Sequence, residues 1–532
     1  MRLKFNLVTV AAALLGLGLT QESDQRQIAI IGAGAAGASA AYSLQKFAAE
    51  AGVHVNITLF EKTDHIGGRS LTINPFDDPA QRFEQGASIF VQANPILYGA
   101  MTEFGLSQRV LDADSNPVMG IWDGDCFVFT VDNSAPTWWN TLKTVLKYGV
   151  TAPQRAQQLT AATITKFLRL YEPEFFPFQS LTQRAQQLGL VEATGVTGQQ
   201  FLSANNIGAR YAHDLIQAST RVNYASNLAH LHGLTTMVSL GAQGATSVQG
   251  GNWQIFHEMA QRSGALIALN TAVVGVEKTS GGSSTSSKYT VQTTSGSTPG
   301  SPATHPVAFD NVIMANPYQF SGISAGEGVL QTPIEEIPYV QLHVTIFTSP
   351  SWFSPRFFDL PNSAKVPGLV LTTLAQSDTL TSGVNGVGKA GFFSLNNLGK
   401  ATNPQTQQKE YVYKIFSPEI VTAQFLSRLM GATVPGGFTG GNSPISWYKP
   451  HVFQSYPKST PRVTFQDPIV GSGVYYTSGI EGFISTMETS ALMGKNVARL
   501  IVDDMVSANA GGTRVKGRDS SVWEEKQRPL AH

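Results

Sequence analysis

The most regular hydrophobic pattern of the chain begins at about residue 26. Residues 27–31 (Q-I-A-I-I) form a short apolar run of the kind that is buried on both faces in a parallel sheet. Small and apolar residues recur at helical spacing from Ala35 to Glu50, and residues 53–60 alternate well enough for a second strand. The pattern predicts a β-α-β unit that opens the folded part of the chain.

Two later regions are built differently. Residues 111–225 combine Gln-rich amphipathic stretches with clustered aromatic residues, which predicts a helical insert and a candidate substrate lid. Residues 333–460 contain β-branched and aromatic runs broken by Gly and Pro, which predicts an antiparallel sheet. From residue 470 the pattern of strand, glycine turn and helix returns, with small residues on one side of the helix from Thr486 to Ile501.

Residues 280–305 are rich in Gly, Ser and Thr and predict a polar surface loop. We expect this loop to join a strand at 272–277 to a strand at 312–315 as a hairpin. The chain ends in a polar tail, residues 506–532, which we expect to be mobile.

The first residues have the pattern of a secretory signal. A basic start precedes an apolar run at residues 5–19, which ends in small and polar residues before Gln21. A membrane anchor is the alternative, but a span needs about 20 apolar residues, and this run contains Asn6 and Thr9. We expect residues 1–20 to be removed in the secretory pathway, with the mature protein in an extracellular or lysosome- or vacuole-like compartment and no stable membrane span.

Composition narrows the classes of protein that remain. The 532 residues suit two or three interleaved domains. Lys and Arg (36) balance Asp and Glu (36), so no net field attracts nucleic acid, and we expect no nucleic-acid partner. One cysteine, Cys126, excludes an intramolecular disulfide, and its apolar neighbours predict a buried position in a strand.

Residues 32–37 (G-A-G-A-A-G) fit the dinucleotide-binding motif G-x-G-x-x-G, between the first strand and the first helix. The first glycine permits the tight turn, the second lets the backbone approach a pyrophosphate, and the third lets the helix pack closely. The diphosphate then faces unpaired N–H groups at a helix N-terminus. An acidic residue at the end of the second strand can bond the ribose hydroxyls. The candidate contacts in this unit are Gly32, Gly34, Ala35, Ala36, Gly37, Glu61 and Lys62.

Three further turns favour FAD over other dinucleotides. A second glycine pair with a basic residue follows the ribose acid at 67–69 (G-G-R), as is typical of FAD enzymes. We expect the small-residue turn at 84–88 against the flavin ring, and the turn at 479–482 near the start of a helix whose N-terminus stabilises the reduced ring. For Met487, packing in the core is an equal alternative. The further candidate contacts are Gly68, Arg69, Gly86, Ser88, Val273, Gly479, Glu481 and Met487.

The chain resembles the prenylcysteine oxidase (prenylcysteine lyase) family of secreted or lysosomal FAD enzymes, within the amine-oxidase-like flavoproteins. Beyond the nucleotide motif, the resemblance rests on R-V-N-Y at 221–224, V-Q-G-G-N at 248–252 and M-E-T-S-A at 487–491. It implies an α/β fold in which an FAD-binding Rossmann-like domain of amine-oxidase-like type is interleaved with a mixed sheet-and-helix substrate domain.

We place the domain boundaries accordingly. The FAD-binding domain is expected in three segments, 26–110, 226–330 and 468–505. The substrate domain is expected in 111–225 and 331–467.

The resemblance also implies a reaction. A small apolar prenyl thioether is oxidised at the isoprenyl carbon that bears sulfur, releasing a prenyl aldehyde and cysteine, and molecular oxygen is reduced to hydrogen peroxide. No second nucleotide motif for NADPH is found in the sequence, which favours oxygen as acceptor. Removal of hydride from an activated carbon depends on positioning, and we assign no catalytic residue.

Alternatives remain open at this point. A related flavin oxidase acting on another apolar substrate has the same motifs, and so does a carrier that binds the cofactor without turnover. Clustered aromatics of the insert are candidates to line an apolar channel, although each also suits an ordinary core: Trp138, Trp139, Phe175, Phe176 and Phe178. His230 and His232 offer two imidazoles without a third ligand at recognisable spacing, so we expect no metal site.

Overall fold

A computed structural model describes residues 25–109, 116–242, 244–279, 288–295, 301–378 and 386–509. The expected signal peptide and the tail beyond residue 509 lie outside these ranges. The strands, in chain order, are β1 (Arg26–Ile31), β2 (Val55–Phe60), β3 (Thr72–Ile73), β4 (Phe83–Glu84), β5 (Val118–Trp122), β6 (Phe127–Asp132), β7 (Leu266–Ala268), β8 (Thr271–Lys278), β9 (Tyr289–Ser295), β10 (Ala303–Thr304), β11 (Asn311–Met314), β12 (Ser324–Ala325), β13 (Tyr339–Ser349), β14 (Leu369–Thr372), β15 (Ser394–Thr402), β16 (Lys409–Ser417), β17 (Trp447–Pro457), β18 (Ile469–Gly471) and β19 (Val474–Tyr476).

The α-helices are α1 (Ala35–Ala51), α2 (Pro95–Glu103), α3 (Thr137–Tyr148), α4 (Thr151–Leu168), α5 (Leu181–Gln187), α6 (Val191–Thr194), α7 (Gly198–Ala204), α8 (Ala209–Tyr211), α9 (Gln217–Tyr224), α10 (Gly233–Leu240), α11 (Trp253–Arg262), α12 (Ala423–Met430) and α13 (Met487–Asn509). The helix α13 continues through residues 507–509, so the expected polar tail begins later than residue 506. None of the described helices is long and apolar enough to cross a membrane.

A six-stranded sheet in the order β18-β19-β11-β1-β2-β7 holds the predicted β-α-β unit. β1 lies parallel to both β2 and β11, which confirms the prediction that both its faces are buried. Ile28 and Ile30 pack into a core with helix α1, while Ala29 and Ile31 pack into a second core on the opposite face. The continuous apolar run of β1 therefore supplies two cores at once.

The second core lies against a four-stranded sheet in the order β10-β9-β8-β12. The expected hairpin between residues 272–277 and 312–315 is wrong, because β8 pairs with β9 and β11 lies between β1 and β19 in the larger sheet. All four residues of β11 are buried, as a central strand requires. The segment 280–305 is likewise not one loop, since it contains β9 and β10.

Helices α1 and α13 approach each other closely because small residues line their contact. A Cβ atom built on Gly494 of α13 would lie 2.1 Å from the carbonyl oxygen of Ala36, which is too close for any side chain. Ser39 of α1 donates its hydroxyl to the carbonyl of Ala491 at 2.7 Å. The predicted small-residue side of the last helix is confirmed, and it fixes the position of the residues that precede α13.

A separate seven-stranded sheet has the order β17-β13-β16-β15-β14-β5-β6. Its strands come from residues 118–132 and 339–457, on both sides of segments that belong to the six-stranded sheet. Helices α3 to α9 lie within residues 137–224, in agreement with the predicted helical insert, whereas residues 118–132 of the same predicted segment form β5 and β6. The domain boundaries themselves stay a prediction.

Several aromatic residues of the insert build a core. Phe175 and Phe178 are buried together with Phe483 of the turn before α13, and Phe176 packs against the same cluster. Trp139 is 43% exposed on α3, and the side chain of Trp138 is outside the described part of the structure. Phe175 and Phe178 therefore belong to a packed core.

Cys126 is exposed, and the predicted burial is wrong. The reason is local: the carboxylate of Asp123 accepts hydrogen bonds from the backbone N–H groups of Asp125 and Cys126, both at 2.8 Å. These bonds form a tight turn, and the strand begins only at Phe127.

Candidate cofactor site

The G-x-G-x-x-G segment turns directly from β1 into helix α1. Gly32 has φ +105°, in the region that favours glycine. A Cβ atom on Gly37 would lie 1.8 Å from the carbonyl oxygen of Gly32, so the turn closes only with glycine there. Helix α1 starts after Gly34 with no side-chain cap and no acidic residue in its first turn. Its first N–H groups, at Ala35 and Ala36, are therefore available to an anion.

Glu61, at the end of β2, is held beside this turn. Its Oε2 atom accepts the backbone N–H of Ala33 at 2.9 Å. Its Oε1 atom accepts the backbone N–H and the hydroxyl of Thr63, at 2.9 and 2.8 Å. Glu61 is 7% exposed, and its Oε2 atom keeps lone-pair capacity for a ribose hydroxyl. Lys62, the next residue, is exposed.

A second glycine turn presses against the first. The N–H of Gly67 donates to the carbonyl of Ala33 at 3.0 Å. A Cβ atom on Gly68, where φ is +57°, would lie 3.1 Å from the Cα of Gly34. The two turns thus form one backbone surface, on which a diphosphate can approach main-chain atoms without meeting side chains.

Arg69 connects this surface to the turn before α13. Its two terminal nitrogens donate to the two carboxylate oxygens of Glu481 at 2.9 and 2.7 Å, a bidentate ion pair. The hydroxyl of Tyr339, on β13, donates to the same carboxylate at 3.1 Å. Burial alone lowers the pKa of Arg69, but the Glu481 carboxylate outweighs it and raises the pKa above its usual value. Three distant segments therefore meet at one ion pair.

The turn at 84–88 is held by a buried lysine of the other sheet. The Nζ atom of Lys414, on β16, donates to the carbonyl of Glu84 at 2.9 Å and to the hydroxyl of Ser88 at 2.8 Å. A longer contact of 3.4 Å reaches the carbonyl of Gly86. A Cβ atom on Gly86 would lie 1.9 Å from the carbonyl of Arg69, so the turn packs directly on the Arg69 segment.

Burial changes the pKa values of the charged groups around the 84–88 turn. Glu84 is 5% exposed and its Oε1 atom accepts the backbone N–H of Asn252 at 2.6 Å. Burial raises the pKa of Glu84 and lowers the pKa of Lys414, while their mutual attraction opposes both shifts. Arg109 is the other charge that acts on both groups. Asn252 also donates to the carbonyl of Ala87 at 3.2 Å, which explains the V-Q-G-G-N motif as a brace for the turn.

Unpaired polar atoms around these turns fit a bound dinucleotide. Four buried side-chain atoms next to the glycine turns have no hydrogen-bond partner in the protein, and burial without a partner costs about 1–3 kcal/mol each. They belong to Ser70, Glu84, Gln85 and Asn316. Together with the uncapped start of α1, they give FAD donors and acceptors that the protein itself leaves unused. The residues present therefore fit the cofactor.

The remaining predicted residues lie in different surroundings. Val273 is buried in the core that also contains Ile31 and Phe60. Met487 is the first residue of α13 and packs against the core of α1. Gly479 lies in the buried 3-10 turn Ser478–Gly482 together with Glu481.

Of the two histidines of the H-L-H segment, His232 has a structural role. His232 is fully buried, and its Nδ1 atom accepts the backbone N–H of Thr235 at the start of α10. Burial lowers the pKa of His232 to about 4, which keeps the imidazole neutral. Within the described ranges, no group of three or more His, Cys, Asp or Glu side chains is placed to hold a metal ion.

Sequence reasoning missed Lys414 and Tyr339. The signal for Lys414 is present: Val412 and Phe416, on the same face of β16, pack toward the 83–88 segment, and a lysine stands between them. A lone lysine on the buried face of a strand indicates a specific partner. Tyr339 begins β13 and has no comparable signal in the sequence.

The fold and this arrangement define a dinucleotide-binding flavoprotein of the amine-oxidase-like type. Residues 30–104 match the NAD(P)-binding Rossmann-like domain. Cyclohexylamine oxidase from Brevibacterium oxydans has a similar fold, with TM-score 0.52 and 16% identity over 90% of this chain and 99% of that one. The CLA-producing fatty acid isomerase from P. acnes also has a similar fold, with TM-score 0.54 and 14% identity over 90% of this chain and 98% of that one.

Residues 131–511 match the family described as prenylcysteine lyase, and the chain belongs to that family. Farnesylcysteine lyase from Arabidopsis thaliana is 26% identical over 91% of this chain and 90% of its own. Human prenylcysteine oxidase 1 is 26% identical over 89% of this chain and 88% of its own. The protein is an oxidoreductase and its cofactor is FAD.

Replacing Gly34 by valine tests whether the backbone surface of the two glycine turns binds the diphosphate. An added Cβ atom meets only the Cα of Gly68, at 3.7 Å, and φ is −76°, so the apoprotein tolerates a side chain. We expect Gly34→Val to fold but to lose FAD at least about tenfold, because the branched side chain occupies the diphosphate approach. The flavin-to-protein absorbance ratio measures this loss. Gly99→Val, at an open glycine of α2, is the matched control; wild-type flavin content in Gly34→Val contradicts the site.

Replacing Lys414 by methionine tests the support of the 84–88 turn. The change removes a charged donor from buried oxygens, which costs about 1.5–3 kcal/mol per hydrogen bond. We expect a lower melting temperature and faster release of FAD on dilution. Lys409→Met, at the exposed start of the same strand, is the control. If Lys414→Met melts and retains flavin like Lys409→Met, Lys414 does not support the site.

Proposed function

We propose that this protein is an FAD-dependent oxidase that cleaves the thioether of prenylated cysteine. The observation that carries the proposal is the family match over residues 131–511, which includes five strands of the seven-stranded sheet (β13 to β17) and the helix α13. The names of the relatives, farnesylcysteine lyase and prenylcysteine oxidase 1, give the substrate class.

The proposed reaction balances with oxygen and water as co-reactants. The carbon next to sulfur loses hydride, and water supplies the oxygen of the new carbonyl. The carbon–sulfur bond then breaks, and sulfur leaves as the cysteine thiol. One prenylcysteine, one O₂ and one H₂O give one prenyl aldehyde, one cysteine and one H₂O₂. Bound FAD supplies the two-electron chemistry.

In the proposed reaction, the side chains of this protein bind and orient the cofactor and shield it from solvent. The uncapped start of α1 and the carboxylate of Glu61 would hold the dinucleotide, while the Arg69–Glu481 pair joins the 67–69 turn to the turn before α13. Lys414 keeps the 84–88 turn in place and brings a positive charge next to it. A cation beside a flavin site favours negative charge that develops there.

A packed apolar core lies next to this turn. Phe83 precedes the turn and packs with residues from one face of the seven-stranded sheet, namely Leu342, Val344, Ile346, Val412 and Phe453. Each buried methylene of a ligand contributes about 0.8 kcal/mol, so a site for a long prenyl group would need apolar side chains around it. Oxidation then depends on position, in agreement with the absence of an assigned acid or base.

Farnesylcysteine tests the proposed function directly. We expect it to bleach the flavin absorbance under nitrogen, and we expect oxygen to restore the absorbance with formation of peroxide and a prenyl aldehyde. S-methylcysteine lacks the chain and the allylic activation and serves as the control that leaves the flavin oxidised. If farnesylcysteine and geranylgeranylcysteine both leave bound flavin unchanged while another apolar molecule bleaches it, the substrate proposal is wrong and the cofactor site stands.

The proposed compartment is the secretory pathway, on the basic start and apolar run of residues 1–19. Amino-terminal sequencing of the protein from the culture medium is expected to show cleavage between about residues 18 and 24. An intact Met1 on protein recovered from the cytosol contradicts this location.

A further inference from the structure

One motif of the chain lies outside the cofactor site. Residues 56–58 (N-I-T) fit the acceptor sequence for N-linked glycosylation. Of all the asparagines in the sequence, only Asn56 is followed two positions later by Ser or Thr. The motif lies in β2, and its place in a sheet between two helix- and sheet-covered faces predicts a buried asparagine. That prediction is wrong, because Asn56 is exposed, whereas Ile57 and Thr58 are buried.

The register of β2 explains why Asn56 is exposed. On one side it pairs with Gln27 of β1, and its Nδ2 atom donates to the Oε1 atom of Gln27 at 2.9 Å on the protein surface. On the other side, β7 begins only at Leu266, opposite Thr58, so β7 does not extend as far as Asn56. Leu266 itself is 63% exposed. This corner of the six-stranded sheet is therefore open to solvent.

The Asn56 amide can carry a sugar and keep its contact with β1. An amide nitrogen has two hydrogens to donate. The bond to Gln27 uses one of them, and attachment of a sugar replaces the other. The pairing of β2 with β1 uses backbone groups, which the attachment does not touch. The folded strand therefore accommodates the modification without a change of structure.

We propose that Asn56 carries an N-linked glycan. The donor is an oligosaccharide joined through a diphosphate to a lipid of the secretory pathway. The bond from the sugar C1 atom to the diphosphate oxygen breaks, a bond from C1 to Nδ2 of Asn56 forms, and the amide loses one proton. No oxidant or reductant takes part. The transfer acts on the chain before it folds, so the burial of Thr58 in the finished sheet does not prevent it.

The inference rests on the proposed secretory compartment and is independent of the proposed reaction. The strands β1, β2 and β11 are parallel, so the Gly32 turn and Glu61 lie at the carboxyl edge of the sheet. Asn56 is five residues before Glu61 in the chain, about 16 Å away at the rise of a strand. A glycan at this opposite edge leaves the cofactor site open.

The test is expression of the full chain in a eukaryotic host that secretes it. Digestion of the secreted protein with peptide N-glycosidase in heavy-oxygen water is expected to lower its apparent mass and to convert Asn56 to a labelled aspartate, detected by peptide mass spectrometry. Asn56→Gln is expected to migrate like the digested wild type and to keep its FAD and its turnover. Asn362→Gln, at an exposed asparagine followed two positions later by Ala364, is the matched control and is expected to keep the glycan.

A second pair of variants separates the motif from any structural role of Asn56. Thr58→Val is similar in size and suits a buried position, but it removes the hydroxyl that the acceptor sequence requires. We expect it to lose the glycan although Asn56 is unchanged. Thr58→Ser retains the hydroxyl and is expected to retain the glycan.

Secreted protein with a cleaved amino terminus and an unmodified Asn56 overturns the inference and leaves the proposed compartment standing. A glycan that persists in Asn56→Gln or in Thr58→Val overturns it as well, because the sugar is then attached elsewhere. An intact Met1 on protein from the cytosol overturns the compartment and the inference together.

Discussion

The ion pair between Arg69 and Glu481 is the constraint on which the site depends. The two residues are 412 positions apart in the chain, and the pair is bidentate. Glu481 is almost fully buried, with its side chain 2% exposed, so an unpaired carboxylate there is costly. Tyr339 adds a donor from the seven-stranded sheet. Because the Glu481 carboxylate accepts hydrogen bonds from Arg69 and Tyr339, the glycine turn after β2, the turn before α13 and the seven-stranded sheet hold each other in place.

This pair forms only if the last helix reaches the first one. Gly494 leaves no side chain between α13 and Ala36, and Ser39 replaces an apolar contact with a hydrogen bond to the α13 backbone. The buried carboxylate of Glu488 accepts the backbone N–H groups of Ile96 and Leu97, at 3.0 and 2.9 Å, and so holds the start of α2. The first helix, the last helix and α2 are therefore positioned together, and the motif around Met487 has a structural role.

Local patterns predict the elements whose partners are close in the chain. The apolar run, the glycine turn and the alternation predict strand β1, helix α1 and strand β2. These three elements are consecutive in the chain and pack against one another. The hairpin prediction was wrong because the pairing of β11 is decided by β1 and β19, far away in sequence. Lys414 was missed for a similar reason. The apolar residues on either side of it indicate that its side of β16 is buried, but its partners in the 84–88 turn are far away in sequence, so no local pattern names them.

The burial of Lys414 is not explained by stability alone. A buried charged group costs several kcal/mol to remove from water, and replacing a buried ion pair with apolar residues is often neutral or stabilising. Val412 and Phe416 show that this face of β16 accepts apolar residues. The lysine instead satisfies oxygens of Glu84 and Ser88 and supplies a cation at the turn that follows the two glycine turns. Such a group is expected where position and charge matter more than packing. The lysine therefore ties the seven-stranded sheet to the cofactor side of the molecule.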